Sequence, residues 1–318
     1  IPDDLDALEQ YASANLQMVP GRMGALQDAA TAYHQILRYK PEHREAEDRL
    51  LDVYKRMRNW PTLEYYAREF LTHRANDPVL LRMLADSLKA MGRHTEALEV
   101  YRTLVDLGKA DPEVYENLVT ILRAQNQLPA ARALLESAVA GSPLDAGLKA
   151  LHARFLFDTG ESGTGENALE KAAELSPNDY RVLRVKAERA ARNRDWGAAR
   201  EFLQQALHDH SEDPDLLLFT ARVDVRLGQV ERAVDLLAAV PKIVLADNPE
   251  LWITLGDLQI SAGRPADAEK TIADFLDSHP EQKPIADYLK GRLLLAASDP
   301  VAATELFATA ARQRPNFL

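Results

Sequence analysis

A small side chain returns every 34 residues. Ala29, Ala97, Ala131, Gly165, Ala199 and Ala233 keep this step, with Leu63 in the slot between Ala29 and Ala97; the step lengthens to 35 at Ala268 and Ala303. Four residues after each slot comes a larger apolar residue: Tyr33, Tyr101, Leu135, Leu169, Leu203, Leu237, Ile272 and Phe307, with Ala67 the exception. A fixed period of this length means one supersecondary unit repeated. No such unit buries its apolar face alone, so neighbours must stack. The recurrence restricts the chain to an array.

Each unit reads as two helices. Leu81, Leu84, Ala85 and Leu88 fall at i, i+3, i+4 and i+7, one face of a first helix, and Ala97, Leu98, Tyr101 and Leu104 form one face of a second. Gly92 between them suits the left-handed residue that ends a helix. Glycines divide other units at Gly24, Gly160, Gly228 and Gly263. Prolines at 41, 78, 112, 143, 177, 214, 249, 280 and 315 are expected to close units by blocking continuation of the second helix.

Composition narrows function. The 318 residues carry a net charge of -11, which argues against whole-surface binding of nucleic acid or an anionic membrane. With no cysteine, disulfides, thiolate metal sites and cysteine nucleophiles are excluded. No apolar run approaches the roughly 18 residues of a membrane span, so no direct insertion is expected of this segment. Ile1 is not a natural start, and the segment is expected to belong to something longer.

The stretch "ELWITLGDLQISAGRPADAEKTIADFLDSHP", residues 250–280, resembles the tetratricopeptide repeat (TPR) family through Trp252, Leu255, Gly256, Gly263, Ala268, Ile272 and Pro280. The resemblance runs through the whole chain, 1–318, as about nine units near 10–43, 44–77, 78–111, 112–145, 146–179, 180–213, 214–248, 249–283 and 284–318. Pro20 interrupts the first, and "GESGTGEN" makes an irregular turn in the fifth. The resemblance implies an all-α, right-handed superhelical solenoid. It also implies a non-catalytic protein-interaction scaffold whose first helices line a concave, ligand-binding groove.

Candidate chemistry is sparse. "GESGTGE" (160–166) joins two helices and lacks both the preceding strand of a dinucleotide fingerprint and a Walker lysine, so it reads as an inter-helix turn. His208 and His210 diverge on a helix and read as solvated rather than metal-binding. His34, His43, His73, His94, His152 and His279 lie at unrelated positions of different units. Asp3, Asp4 and Asp6 read as a solvated, helix-capping segment. No cofactor, metal or catalytic set is expected.

With the tryptophan slot counted as position 4, positions 2, 5, 9 and 12 should face the groove. Early units offer Asp48, Asp52, Asp86 and Glu116 with Arg82 and Lys89. The middle offers Arg154, Arg181, Arg184, Arg192, Arg222 and Arg226 against Glu188 and Asp215. The last units turn apolar, through Leu218, Phe219, Val225, Ile253, Ile260, Tyr288 and Leu295. Two readings stand. Arg82 with Asp48 or Glu116, and Arg154 or Arg222 with Glu188, would be ion-pair ladders between units. Otherwise the arginine forks hold an acidic peptide or an anionic polymer segment. The Lys and Asn pair with which chaperone-binding TPR domains clamp a carboxylate is absent; Asn117 alone does not make one.

The expected partner is a protein. The preferred context is a periplasmic scaffold of Gram-negative exopolysaccharide synthesis and export, the periplasm being slightly favoured over the cytoplasm. The alternatives are a cytoplasmic or inner-membrane-tethered adaptor for envelope or secretion assembly, and an accessory domain of a larger enzyme. The last unit presents Val301, Leu306, Phe307 and Ala310 with no capping helix after Pro315. Further repeats, a neighbouring domain or self-association with a second copy are expected to cover that face.

Overall fold

The computed structural model describes residues 5–17 and 23–313. Asp3, Asp4, Pro20 and Pro315 lie outside the described residues. No strand occurs among the described residues; the chain is a series of antiparallel helical hairpins in two compact units. The first unit pairs α1 (Leu5–Gln17) with α2 (Met23–Tyr39), α3 (Arg44–Arg56) with α4 (Trp60–Leu71), α5 (Pro78–Ala90) with α6 (His94–Asp106), α7 (Pro112–Ala124) with α8 (Leu128–Gly141) and α9 (Ala146–Asp158) with α10 (Ser162–Leu175). The second pairs α11 (Tyr180–Arg192) with α12 (Trp196–Asp209) and α13 (Pro214–Arg226) with α14 (Val230–Ala238). A short α15 (Lys242–Asp247) follows, then α16 (Pro249–Ser261) with α17 (Pro265–Ser278), and α18 (Lys283–Ala296) with α19 (Pro300–Gln313). Within each unit a helix packs on its hairpin partner and on the next hairpin.

The small-residue column lies where helices approach most closely: Ala29, Ala97, Ala131, Ala199, Ala233 and Ala268 are wholly buried. The larger column fills the space beside them, with Tyr101, Leu135, Leu203 and Leu237 also at 0% exposure. Trp252 is buried with its ring edge-on to Phe275, centroids 6.1 Å apart. Two hairpins solve the close approach with glycine. The Phe157 ring lies over Gly165 of α10, and in the last hairpin the roles reverse, Phe307 of α19 lying over Gly291 of α18; a Cβ at either glycine would sit inside 3 Å of the ring.

Every hairpin from α3 onward turns through one left-handed residue: Arg58, Gly92, Asn126, Gly160, Arg194, Gly228, Gly263 and Ser298, with φ between +52° and +89°. Gly24, expected among these dividers, lies instead in the first turn of α2. Half the slots hold residues that pay a steric penalty for this conformation, roughly 1–2 kcal/mol. Glycine's extra unfolded-state entropy offsets about 0.5–1 kcal/mol of any gain. Arg194→Gly should therefore raise stability by about 0.5 kcal/mol, read as a higher urea midpoint; an unchanged or lower midpoint would reject this account.

Pro41, Pro143 and Pro177 lie in turns after second helices, as expected, but four other prolines open units rather than close them. Pro78, Pro112, Pro214 and Pro249 occupy the first turn of the next first helix, where the missing N–H bonds nothing anyway. The residue before the helix supplies the cap. Asp77, Asp111, Asp145, Asp179 and Asp213, themselves 34 apart, each accept hydrogen bonds from N–H groups two or three residues on. Such caps contribute about 1 kcal/mol each. Asp6, in the first turn of α1, complements the helix dipole as expected.

Two expectations need correction. "GESGTGEN" is mostly helix: only Thr159, Gly160 and Glu161 intervene before α10. The hairpin of α13 and α14 carries an extra helix, because Pro241 cannot continue α14 and its ring would clash with the carbonyl of Leu237. The chain turns there and α15 buries Leu245.

Candidate partner-binding surface

In the second unit α11 and α13 are neighbouring first helices. Their spacing brings Arg181, Arg184 and Glu188 to one face of α11, and Asp215, Leu218, Arg222 and Arg226 to one face of α13. Arg184 is engaged at the centre. Its Nε lies 3.4 Å from Glu188 and its Nη2 3.8 Å from Asp215, which ties the two helices together.

Three other arginines of this unit behave differently. The Arg181 guanidinium lies 4.4 Å from the centre of the Tyr180 ring, whose centroid is 4.0 Å from that of His210. Arg222 lies 5.7 Å over Phe219 and returns its Nε–H to the Leu218 carbonyl at 3.3 Å. Arg226 lies 6.0 Å over Trp196. None of the three forms an ion pair among the described residues. An aromatic face behind a guanidinium orients it and leaves its N–H edges available to an anion. Arg192 is exposed but has interactions of its own.

Most of the remaining expected residues are occupied in packing. Phe219 is half-buried against the core of α11 to α13. Ile253 and Tyr288 are half-buried against the core of α13 to α18, and Tyr288 tilts onto Phe307 at 5.7 Å. Ile260, expected in the apolar zone, is buried, because its side of α16 faces inward. Val225 and Leu295 are exposed.

Ion-pair ladders exist, and those of Arg82 and Arg222 differ from expectation. In the first unit Arg154 donates to Glu116 at 2.6 Å. Arg82 reaches the capping Asp111 at 2.7 Å and Glu113 at 3.3 Å rather than Asp48 or Glu116. In the second, Glu188 faces Arg184, not Arg222, and Arg292 pairs with Asp257. Most of the early acidic set is likewise engaged, Asp52 being half-buried with no ion pair among the described residues. Asp48 accepts from Arg74, Asp86 accepts from the Tyr101 hydroxyl, and Lys89 donates to Asn117. Burial first, and then the Asp86 carboxylate, push the Tyr101 phenol far above its ordinary range.

A buried charge cluster in the first unit has no counterpart among the sequence expectations. Glu47, with no exposure, accepts from Arg74 and pairs with the His73 ring, both at 2.7 Å; Arg74 also reaches Asp77 at 2.8 Å. Burial raises the Asp77 carboxyl, but the Arg74 hydrogen bond and the N–H groups of Leu80 and Val79 outweigh it and hold the pKa below the ordinary range. The cluster sits in the hairpin seam and its carboxylates are all paired within it, so it serves the fold. His208 pairs with the adjacent Asp209 at 2.8 Å, while His210 turns to Tyr180. Among the described residues no three His, Asp or Glu side chains group as metal ligands.

A tetratricopeptide repeat profile matches residues 82–146, 150–214 and 253–316, and a second tetratricopeptide repeat profile matches residues 190–245. The chain belongs to the tetratricopeptide repeat family. The TPR chain is 30% identical over 169 residues to cellulose synthase operon protein C of Pseudomonas fluorescens (strain SBW25), a match covering 49% of this chain and 13% of that protein. It thus spans a small fraction of that relative's length. Among solved structures it is similar to yeast Tom70, at 15% identity and TM-score 0.44, over 99% of this chain and 77% of that one. It is also similar to Pseudomonas aeruginosa pilF, at 18% identity and TM-score 0.48, over 64% of this chain and 92% of that one. TPR repeats are protein-interaction scaffolds, and no helix of the described residues is long and apolar enough to cross a membrane.

Proposed function

We propose that this TPR array is a non-catalytic scaffold that holds an acidic segment of a protein partner on the α11 and α13 face, within a bacterial exopolysaccharide synthesis or export assembly. The observation that carries the binding reading is the set Arg181, Arg222 and Arg226. Each is backed by an aromatic ring and none is neutralised by a carboxylate, on a chain of net charge -11. Arg184 and Arg154 are already paired and act as framework rather than as contacts. The partial likeness to a cellulose synthase operon protein supports the assembly.

Fluorescence anisotropy of a labelled peptide containing six consecutive glutamates, against one containing six lysines, tests the reading. The acidic peptide should bind, and Arg181→Glu with Arg222→Glu should weaken it by at least about tenfold with little change in melting temperature. Equal binding by parent and double variant, or no preference for the acidic peptide, would reject the site. An alginate oligomer that outcompetes the peptide would move the reading to an anionic polymer.

A further inference from the structure

A different surface of the chain holds unneutralised positive charge. Where α8, α9 and α10 meet there is a cleft of 610 Å³. Its walls are Lys149, His152 and Leu156 of α9, at i, i+3 and i+7, and Thr164, Asn167 and Lys171 of α10, again at i, i+3 and i+7; Val139 of α8 completes it. Because the two helices run antiparallel, Lys149 and Lys171 share one end, His152 and Asn167 the middle, and Leu156 and Thr164 the end nearest the turn.

The repeat positions of Lys149 and His152 vary along the array: the first is Glu47 and Asp287 in two hairpins and the second Lys186 and Lys290 in two others, while most of the rest are apolar. Lys149 and His152 stand where Trp252 and Leu255 stand in α16, and those two side chains are buried. The equivalent cleft of the last hairpin, 690 Å³ between α17, α18 and α19, is lined mainly by Ile272, Leu276, Leu293, Leu294 and Leu306. Its single lysine, Lys290, shares the lining with Glu269 and Asp277. The α9 and α10 cleft has no carboxylate in its lining, and neither Lys149 nor Lys171 forms an ion pair among the described residues. His152 Nε2 is enclosed and has no hydrogen-bond partner. A buried polar atom left unpaired is costly and rare, which makes it a place for a ligand atom.

We propose that this cleft binds a small organic phosphomonoester. Two ammonium groups at one end match the charge of a phosphate dianion, and lysine recognises phosphate as a point charge. No arginine lines the cleft to offer the planar fork that suits a carboxylate. The volume lies within the range of small-molecule sites and exceeds the needs of a bare phosphate. Val139 and Leu156 provide apolar contact for an organic body, Asn167 and Thr164 polar contact, and His152 Nε2 the enclosed partner. Burial lowers the His152 pKa; the nearby Glu136 opposes this, while Arg132 and Lys149 reinforce it. This direction favours the uncharged ring, whose Nε2–H tautomer is the form that would donate to the ligand.

The test is NMR titration of the whole chain, following the His152 ring proton resonances, identified by their loss in His152→Gln. The probes are phenyl phosphate, phenylacetate and inorganic phosphate. Phenyl phosphate should give a saturable shift, with phenylacetate and inorganic phosphate each about tenfold weaker or more. Lys149→Ala with Lys171→Ala should weaken phenyl phosphate by at least about tenfold while the thermal melt stays that of the parent. Absence of a saturable shift, equal binding of phenylacetate, or undiminished binding by the double variant would overturn the proposal. Inorganic phosphate binding as tightly as phenyl phosphate would overturn the assignment of an organic body.

Discussion

Arg74→Leu should destabilise the first compact unit by about 3–5 kcal/mol. Among the described residues Arg74 is the only arginine joined to Glu47, and it also bonds Asp48 and Asp77. Its removal strands the carboxylate of Glu47, which has no exposure, with only the His73 ring beside it. The lost favourable pairing is smaller than the cost of that uncompensated buried charge. Arg68→Leu is the matched control, since Arg68 is half exposed and its pairs with Glu64 and Glu96 are worth roughly 0–1 kcal/mol. Urea midpoints of the two variants decide it: equal shifts would mean the cluster is not tightly coupled. There is a pH signature as well. The depressed pKa of Asp77 adds stability that is fully present above its unfolded value and is lost as pH falls through the folded one. Without Arg74 that carboxyl relaxes upward, so part of the acid-side loss of stability should disappear.

Ala268→Trp should lower the melting temperature far more than Ala302→Trp. Ala268 is wholly buried where α17 meets α16, and an indole there must displace packed helices, at a cost of at least roughly 1–3 kcal/mol. Ala302 is half-buried rather than fully outward, so its variant should show a small loss instead of none. Matching melting curves would place the 34-residue phase in error.

The all-α hairpin array was readable because its signal is redundant. The buried alanine column and the larger column four residues on repeat many times, and chance does not keep such phase. Less of the detail was readable. The capping aspartates at 77, 111, 145, 179 and 213 share the same period, a signal as regular as the alanine column. Pro241 likewise announced the break that separates α14 from α15. The arginine partners were a different matter. Arg82 reaches forward to Asp111 and Arg154 backward to Glu116, and Arg222 turns to Phe219. Long side chains choose among several acceptors within reach, and the choice depends on helix rotation and stagger, which periodicity does not supply. The Glu47 and Arg74 cluster joins residues 27 apart across a hairpin seam. Its members had no shared register to betray them.

The recurrence of one left-handed turn residue in every hairpin from α3 onward bears on how such a chain can change over generations. Where a block of 34 residues is duplicated or lost, the cut ends meet an identical seam, with an aspartate waiting to start the next helix. Unequal recombination between Arg58 and Arg194 can therefore lengthen or shorten the stack without inventing a junction. Beyond Gly228 the step becomes 35 and α15 intervenes, so a crossover there would join mismatched edges. The number of hairpins is a heritable quantity that the first stretch leaves free and the second holds in place.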